Sequence, residues 1–119
     1  MKLALTLALG TILAATLAAS PVHARPRTAT CRIVTQGEKP YLGPCRFLPD
    51  GKGSFAVEPI GRRFFFPSVS TISLTVTGPG QAEVSGLTAA GINSRWGEAK
   101  RSKSAPACWR GGDFRICVT

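Results

Sequence analysis

The sequence predicts an all-β fold: a small single-domain sandwich or barrel of short antiparallel strands, with two disulfide-stapled hairpins. Three observations carry that expectation. Short extended runs follow one another between Gly and Pro residues, of which the 119-residue chain has 13 and 9. No stretch places apolar residues at a helical period. All four cysteines, Cys31, Cys45, Cys108 and Cys117, fall into two close pairs near the ends of the segment that follows an export leader.

The leader comes first in the chain and changes the meaning of the rest. Lys2 supplies a positive start, 3–19 is apolar and uncharged, and Ser20-Pro21 breaks the run. Val22-His23-Ala24 then offers the small residues that a signal peptidase requires before Arg25. The expected organisation is a signal peptide at 1–24 and a mature disulfide-bonded β domain at 25–119, periplasmic or secreted. The apolar run is at the short end for a ~30 Å hydrocarbon layer, so no transmembrane anchor is expected after cleavage. Cys31 lies too far beyond that run for lipid attachment.

Within the mature segment, 25–30 reads as a loose polar lead. Extended runs are expected at 30–36, 41–48, 54–60, 63–66, 69–77, 81–87, 105–110 and 114–118. Thr71-Ile72-Ser73-Leu74-Thr75-Val76-Thr77 alternates polar and apolar residues, as a strand with one buried face does. Gly78-Pro79-Gly80 turns it back into Gln81-Ala82-Glu83-Val84, and Pro49-Asp50-Gly51-Lys52-Gly53 is a second turn. The segment 88–104 reads as a loop or a single helical turn.

The cysteine pairs can be tested by register. With Gly112-Asp113 as a two-residue hairpin loop, Gly111 faces Phe114, Arg110 faces Arg115, Trp109 faces Ile116 and Cys108 faces Cys117. That register puts Trp109, Phe114, Ile116 and Val118 on one face, and Arg110 and Arg115 on the other beside the bridge. At the other end, a loop centred on Gly37-Glu38-Lys39 sets Cys31 opposite Cys45. Ile33, Tyr41 and Phe47 then share the cysteine face, while Arg32, Val34, Leu42 and Arg46 share the reverse. Four cysteines allow three connectivities, and short hairpins favour Cys31–Cys45 with Cys108–Cys117. Two bridges suit an oxidising compartment and a domain of 95 residues with a modest core.

The segments Cys31-Arg32-Ile33-Val34, Gly43-Pro44-Cys45-Arg46-Phe47, Gly53-Ser54-Phe55, Ala107-Cys108-Trp109 and Ile116-Cys117 resemble a group of short exported, two-disulfide bacterial proteins, chiefly alphaproteobacterial, of uncharacterised function. The resemblance spans roughly half of the mature segment. It implies export and a bridged β domain, and carries no activity.

Composition narrows the chemistry. The only histidine, His23, falls within the leader, which leaves the mature segment without an imidazole base, nucleophile activator or zinc ligand. No phosphate loop, nucleotide fingerprint or calcium loop is present, and neither cysteine pair has C-x-x-C spacing. No cofactor or metal is expected. Of six carboxylates, Glu38, Asp50 and Asp113 sit at turns, leaving Glu58, Glu83 and Glu98 for any glycosidase-like acid–base pair.

Charge is the stronger signal. The whole chain carries a formal net charge of +9, and the mature segment sets 14 Lys and Arg against six Asp and Glu. Arg62 and Arg63 precede Phe64-Phe65-Phe66, and Arg95 and Trp96 precede Lys100, Arg101 and Lys103. Arg110 and Arg115 add a third basic element. The bland account places these cations on ordinary solvated faces, with Phe64, Phe66 and both tryptophans in the core. The functional account makes Arg62, Arg63, Phe65, Arg95, Trp96, Lys100, Arg101, Lys103, Arg110 and Arg115 a cationic surface with aromatic neighbours. Phe65 enters that set because period-two geometry turns it away from its neighbours.

The expected function is therefore an exported, basic, non-enzymatic binding module for an acidic envelope partner: lipopolysaccharide, anionic lipid, acidic glycan or acidic protein. One alternative is an inhibitor of an envelope-directed hydrolase, whose target would be acidic to complement this charge. A second is a small hydrolase using two of Glu58, Glu83 and Glu98. Export makes nucleic acid an unexpected partner despite the charge. Ligand identity and oligomeric state are left open.

Overall fold

The computed structural model describes residues 10–11 and 25–119. Apart from Gly10 and Thr11, the leader expected at 1–24 lies outside the described residues. Eight antiparallel strands run in chain order: β1 (Arg27–Thr35), β2 (Tyr41–Pro49), β3 (Phe55–Pro59), β4 (Val69–Gly78), β5 (Gln81–Thr88), β6 (Asn93–Arg101), β7 (Cys108–Arg110) and β8 (Phe114–Val118). Each pairs with the next, and β8 pairs back onto β1, so the sheet closes into a barrel. Every strand has a neighbour on both sides, although β7 pairs with only Lys100 and Arg101 of β6, and eight strands enclose a space that side chains can fill.

Period-two alternation decides what fills it. Cys31, Ile33, Tyr41, Cys45, Val57, Ile72, Leu74, Val84, Trp109, Phe114 and Ile116 point inward and are buried. The described domain has no buried polar or charged residue.

Both expected disulfides are present, Cys31–Cys45 and Cys108–Cys117. The C-terminal hairpin has the predicted register: Cys108 faces Cys117, Trp109 faces Ile116 and Arg110 faces Arg115. The N-terminal hairpin is shifted by two residues. Ala29 faces Cys45 and Cys31 faces Gly43, so this bridge runs diagonally, with its Cα atoms 5.7 Å apart. The cause is an earlier turn: Gly37 adopts φ 83° and the Glu38 N–H donates to the Thr35 carbonyl at 3.4 Å. A slip of two preserves which side chains face inward, so both cysteines still enter the core. Pairing also begins earlier than expected. Arg27 already faces Phe47, and the lead is strand from that point.

Two further expectations are corrected. The run 63–66 is not a strand but part of a loop with one isolated bridge, Phe66 to Val69. Conversely, 88–104 contains a full strand, β6. A bulge interrupts it: Ser85 faces Arg95, Val84 faces Gly97, and Trp96 is left unpaired between them. Gly97 supplies φ 113° there. The bulge turns Trp96 inward between Phe66 and Phe114, with ring centroids 6.5 and 5.6 Å away. At the far end of the barrel, Cys108–Arg110 is shorter than the expected 105–110 because a turn precedes it, closed by the Cys108 N–H and the Ala105 carbonyl at 2.8 Å.

The two barrel ends differ. One carries the connections 36–40, 60–68, 89–92 and 111–113, and Phe65 and Phe66 fold across it. The other carries 50–54, 79–80 and 102–107, together with the N-terminal end of β1 and the C-terminal end of β8. The first is stoppered; the second opens onto the core.

Candidate functional site

The wall of the barrel formed by β6, β7, β8 and β1 carries a row of cations. Inward positions here are Ala99, Trp109, Ile116 and Ile33, all buried. The residues next to them along each strand must face outward, and these are Lys100, Arg110, Arg115 and Val34. Register aligns them: Lys100 faces Arg110, Arg110 faces Arg115, and Arg115 faces Val34. Three cations thus stand side by side on consecutive strands. Arg32, across from Cys117, is one diagonal step from Arg115 and extends the row.

Directly opposed side chains have Cβ atoms about 4.5–5.5 Å apart, and like charges so placed oppose folding. No carboxylate stands directly opposite a member of this row; Glu98, two residues before Lys100 on the same face of β6, is a diagonal neighbour of Arg110 and shares a surface hollow with both. Arg95 of β6 forms an ion pair with Glu83 of β5, away from the row. Arg115 is also the most firmly held of the three. Its Nη2 lies 3.5 Å from the Cys108 sulfur, and its Nε is enclosed with no hydrogen-bond partner. The outward disulfide therefore acts as a rigid floor beneath a concentrated positive field.

The ten residues singled out in the sequence do not converge on one surface. Lys100, Arg110 and Arg115 form the row. Arg62 and Arg63 lie at the stoppered end, stacked 5.5 and 5.6 Å from the rings of Tyr41 and Phe64. Arg95 is paired with Glu83, and Trp96 is a partly buried wedge against the core. Arg101 lies at the open end over Trp109, with its centroid 5.5 Å away, and Lys103 is exposed in the connection beyond it.

Phe65 is a correction. Its side chain is only 3% exposed and meets Tyr41 edge-on, with ring centroids 4.8 Å apart. Period two gave it an outward direction, but the chain there is a loop, to which that period does not apply. Phe64 is the half-buried member of the trio instead.

Sequence reasoning missed Arg32. The alternation around Cys31 already put it on the outer face, but its nearness to Arg115 depends on β1 closing onto β8. Of the three carboxylates considered for catalysis, Glu83 and Glu98 are cross-strand partners on the outer wall, and Glu58 faces Arg46 elsewhere. Among the described residues, no cluster of His, Cys, Asp and Glu is suited to a metal ion, and no helix is long and apolar enough to cross a membrane.

No family model, curated protein or solved structure matches the chain.

Proposed function

We propose that this protein is an exported, non-enzymatic binding module that holds a polyanionic component of the cell envelope against the wall formed by β6, β7, β8 and β1. One observation carries the reading: Lys100, Arg110 and Arg115 are directly opposed across three adjacent strands, cation to cation, with Glu98 the one carboxylate lining the hollow beside Lys100 and Arg110. An arrangement that costs folding stability is explained if a multivalent anion relieves the repulsion on binding. Phosphates of lipopolysaccharide or of an anionic bilayer have the required charge density, and arginine forks suit them.

Two disulfides fit an oxidising compartment. The leader-like start of the sequence and the resemblance of the cysteine hairpins to exported bacterial proteins support the periplasm or the exterior.

The test is co-sedimentation with vesicles of phosphatidylglycerol and of phosphatidylcholine, and with lipopolysaccharide. Binding to the anionic targets should weaken steeply as salt rises, because the Debye length shrinks from about 30 Å at 0.01 M to about 10 Å at 0.1 M. R110E with R115E should abolish it. Equal binding to phosphatidylcholine, or full retention by the double variant, would remove the proposal.

A further inference from the structure

The open end of the barrel has a different chemistry from the wall. There the inward side chains of Phe47, Phe55, Val76 and Trp109 line a cup of about 540 Å³. That volume is within the range of small-molecule sites, about 300–1,000 Å³. At the other end Phe65 and Phe66 cover the core, and the hollow of about 470 Å³ outside them has a carboxylate, Glu38, in its lining beside Arg62 and Arg63.

Cations ring the cup. Arg27, Lys52 and Arg101 all line it, and no Asp or Glu does. Arg27 lies 4.6 Å from the centroid of Phe47, and Arg101 lies 5.5 Å from that of Trp109. Each guanidinium therefore lies within cation–π range of an aromatic ring of the floor. Arg101 is oriented further by its Nε, which donates to the Pro106 carbonyl at 2.8 Å, so both Nη groups are left to serve a ligand. The loop that brings Lys52 to the rim is itself fixed. The Lys52 N–H donates to Asp50 Oδ1 at 2.7 Å, and Ser54 Oγ accepts the Val76 N–H at 2.8 Å.

We infer that the cup binds a single-chain amphipathic anion, a fatty-acid carboxylate, with its tail against Phe47, Phe55 and Trp109 and its head between Arg27 and Arg101. Both halves of the site are required. The floor has no charged partner for a polar ligand, and no carboxylate enters the lining beside the three cations, Asp50 in the adjoining loop being tied to the Lys52 N–H, so neither a neutral lipid nor a small anion satisfies the whole. The inference goes beyond the proposed function and uses none of the three residues of the row, so either can fail without the other.

The protein purified as the cell exports it is titrated with laurate below its micelle concentration, followed by calorimetry and by tryptophan emission. W96F leaves Trp109, in the cup, as the only tryptophan. Laurate should saturate at one per chain and shift Trp109 emission. Monolaurin, with the same tail and a neutral head, should bind about tenfold or more weakly, and acetate should produce no change. R27Q and R101Q should each weaken laurate by about tenfold, while R110Q should leave it unaltered. Unsaturable binding would overturn the inference, as would equal affinity for monolaurin, or loss in R110Q with retention in R27Q and R101Q. R27Q alone, on an exposed strand end, keeps the test decisive if R101Q does not fold.

Discussion

The ring of Phe114 occupies the space that a side chain on Gly111 would need: a Cβ there would stand 2.1 Å from Phe114 Cε1. Phe114 in turn packs against Trp96, the wedge of the β6 bulge. Gly111 therefore lets Phe114 reach the seam where β7 pairs with only Lys100 and Arg101 and leaves the N-terminal part of β6 uncovered. G111A should displace Phe114 and cost about 1–3 kcal/mol, the usual range for overpacking. G112A, with open space at its Cβ, should stay within about 0.5 kcal/mol. Urea unfolding of the two variants measures the difference.

The cation row makes the opposite kind of prediction, a stabilising substitution. Arg110 is flanked directly by Lys100 and Arg115. R110Q removes the central charge and should raise stability by a few tenths to about 1 kcal/mol at low salt. The gain should disappear near 1 M salt, where the Debye length is about 3 Å. K39Q, which removes the same charge from an exposed loop, should show a smaller gain. Thermal unfolding of the three proteins at low and high salt reads both effects.

The two disulfides should open in a fixed order. Cys31 and Cys45 are fully buried, whereas Cys117 is partly exposed and its bridge lies on the outer face. The Arg115 guanidinium beside Cys108 also favours the departing thiolate. Under native conditions dithiothreitol should reduce Cys108–Cys117 first and leave Cys31–Cys45 until the barrel unfolds. Alkylation followed by peptide mass spectrometry gives the order.

Phe65 and Phe64 separate a stopper from a surface contact. F65A should cost about 3–5 kcal/mol, as loss of a buried phenylalanine does, and F64A clearly less. Equal costs would show that the loop 60–68 is not anchored by Phe65. Chemical denaturation with matched slopes decides it.

Legibility followed the number of independent signals at each element. In the C-terminal hairpin, Gly112-Asp113, the cysteine pair and the alternation of Trp109, Phe114 and Ile116 all impose one register, and that register is found. The N-terminal hairpin had only its cysteines, and a diagonal bridge satisfies them as well as a direct one. β6 was hidden because Asn93-Ser94-Arg95-Trp96-Gly97-Glu98-Ala99-Lys100-Arg101 buries only Ala99 fully and breaks its period at the bulge. The aromatic run 64–66 looked like a strand for its composition alone. Two of the row's three cations were visible through the C-terminal hairpin, since Arg110 opposite Arg115 follows from that register. Lys100 and Arg32 joined them only through pairings between distant segments, which no local pattern encodes.

The most direct test of the anion-binding wall is to follow backbone amide shifts by ¹⁵N NMR while the protein is titrated with soluble lipopolysaccharide core phosphate. The account predicts that the largest changes cluster at Lys100, Arg110, Arg115 and Arg32, and that they fade as salt is raised. Changes centred instead on the stoppered end around Arg62 and Arg63, or spread evenly over every exposed cation, would contradict it.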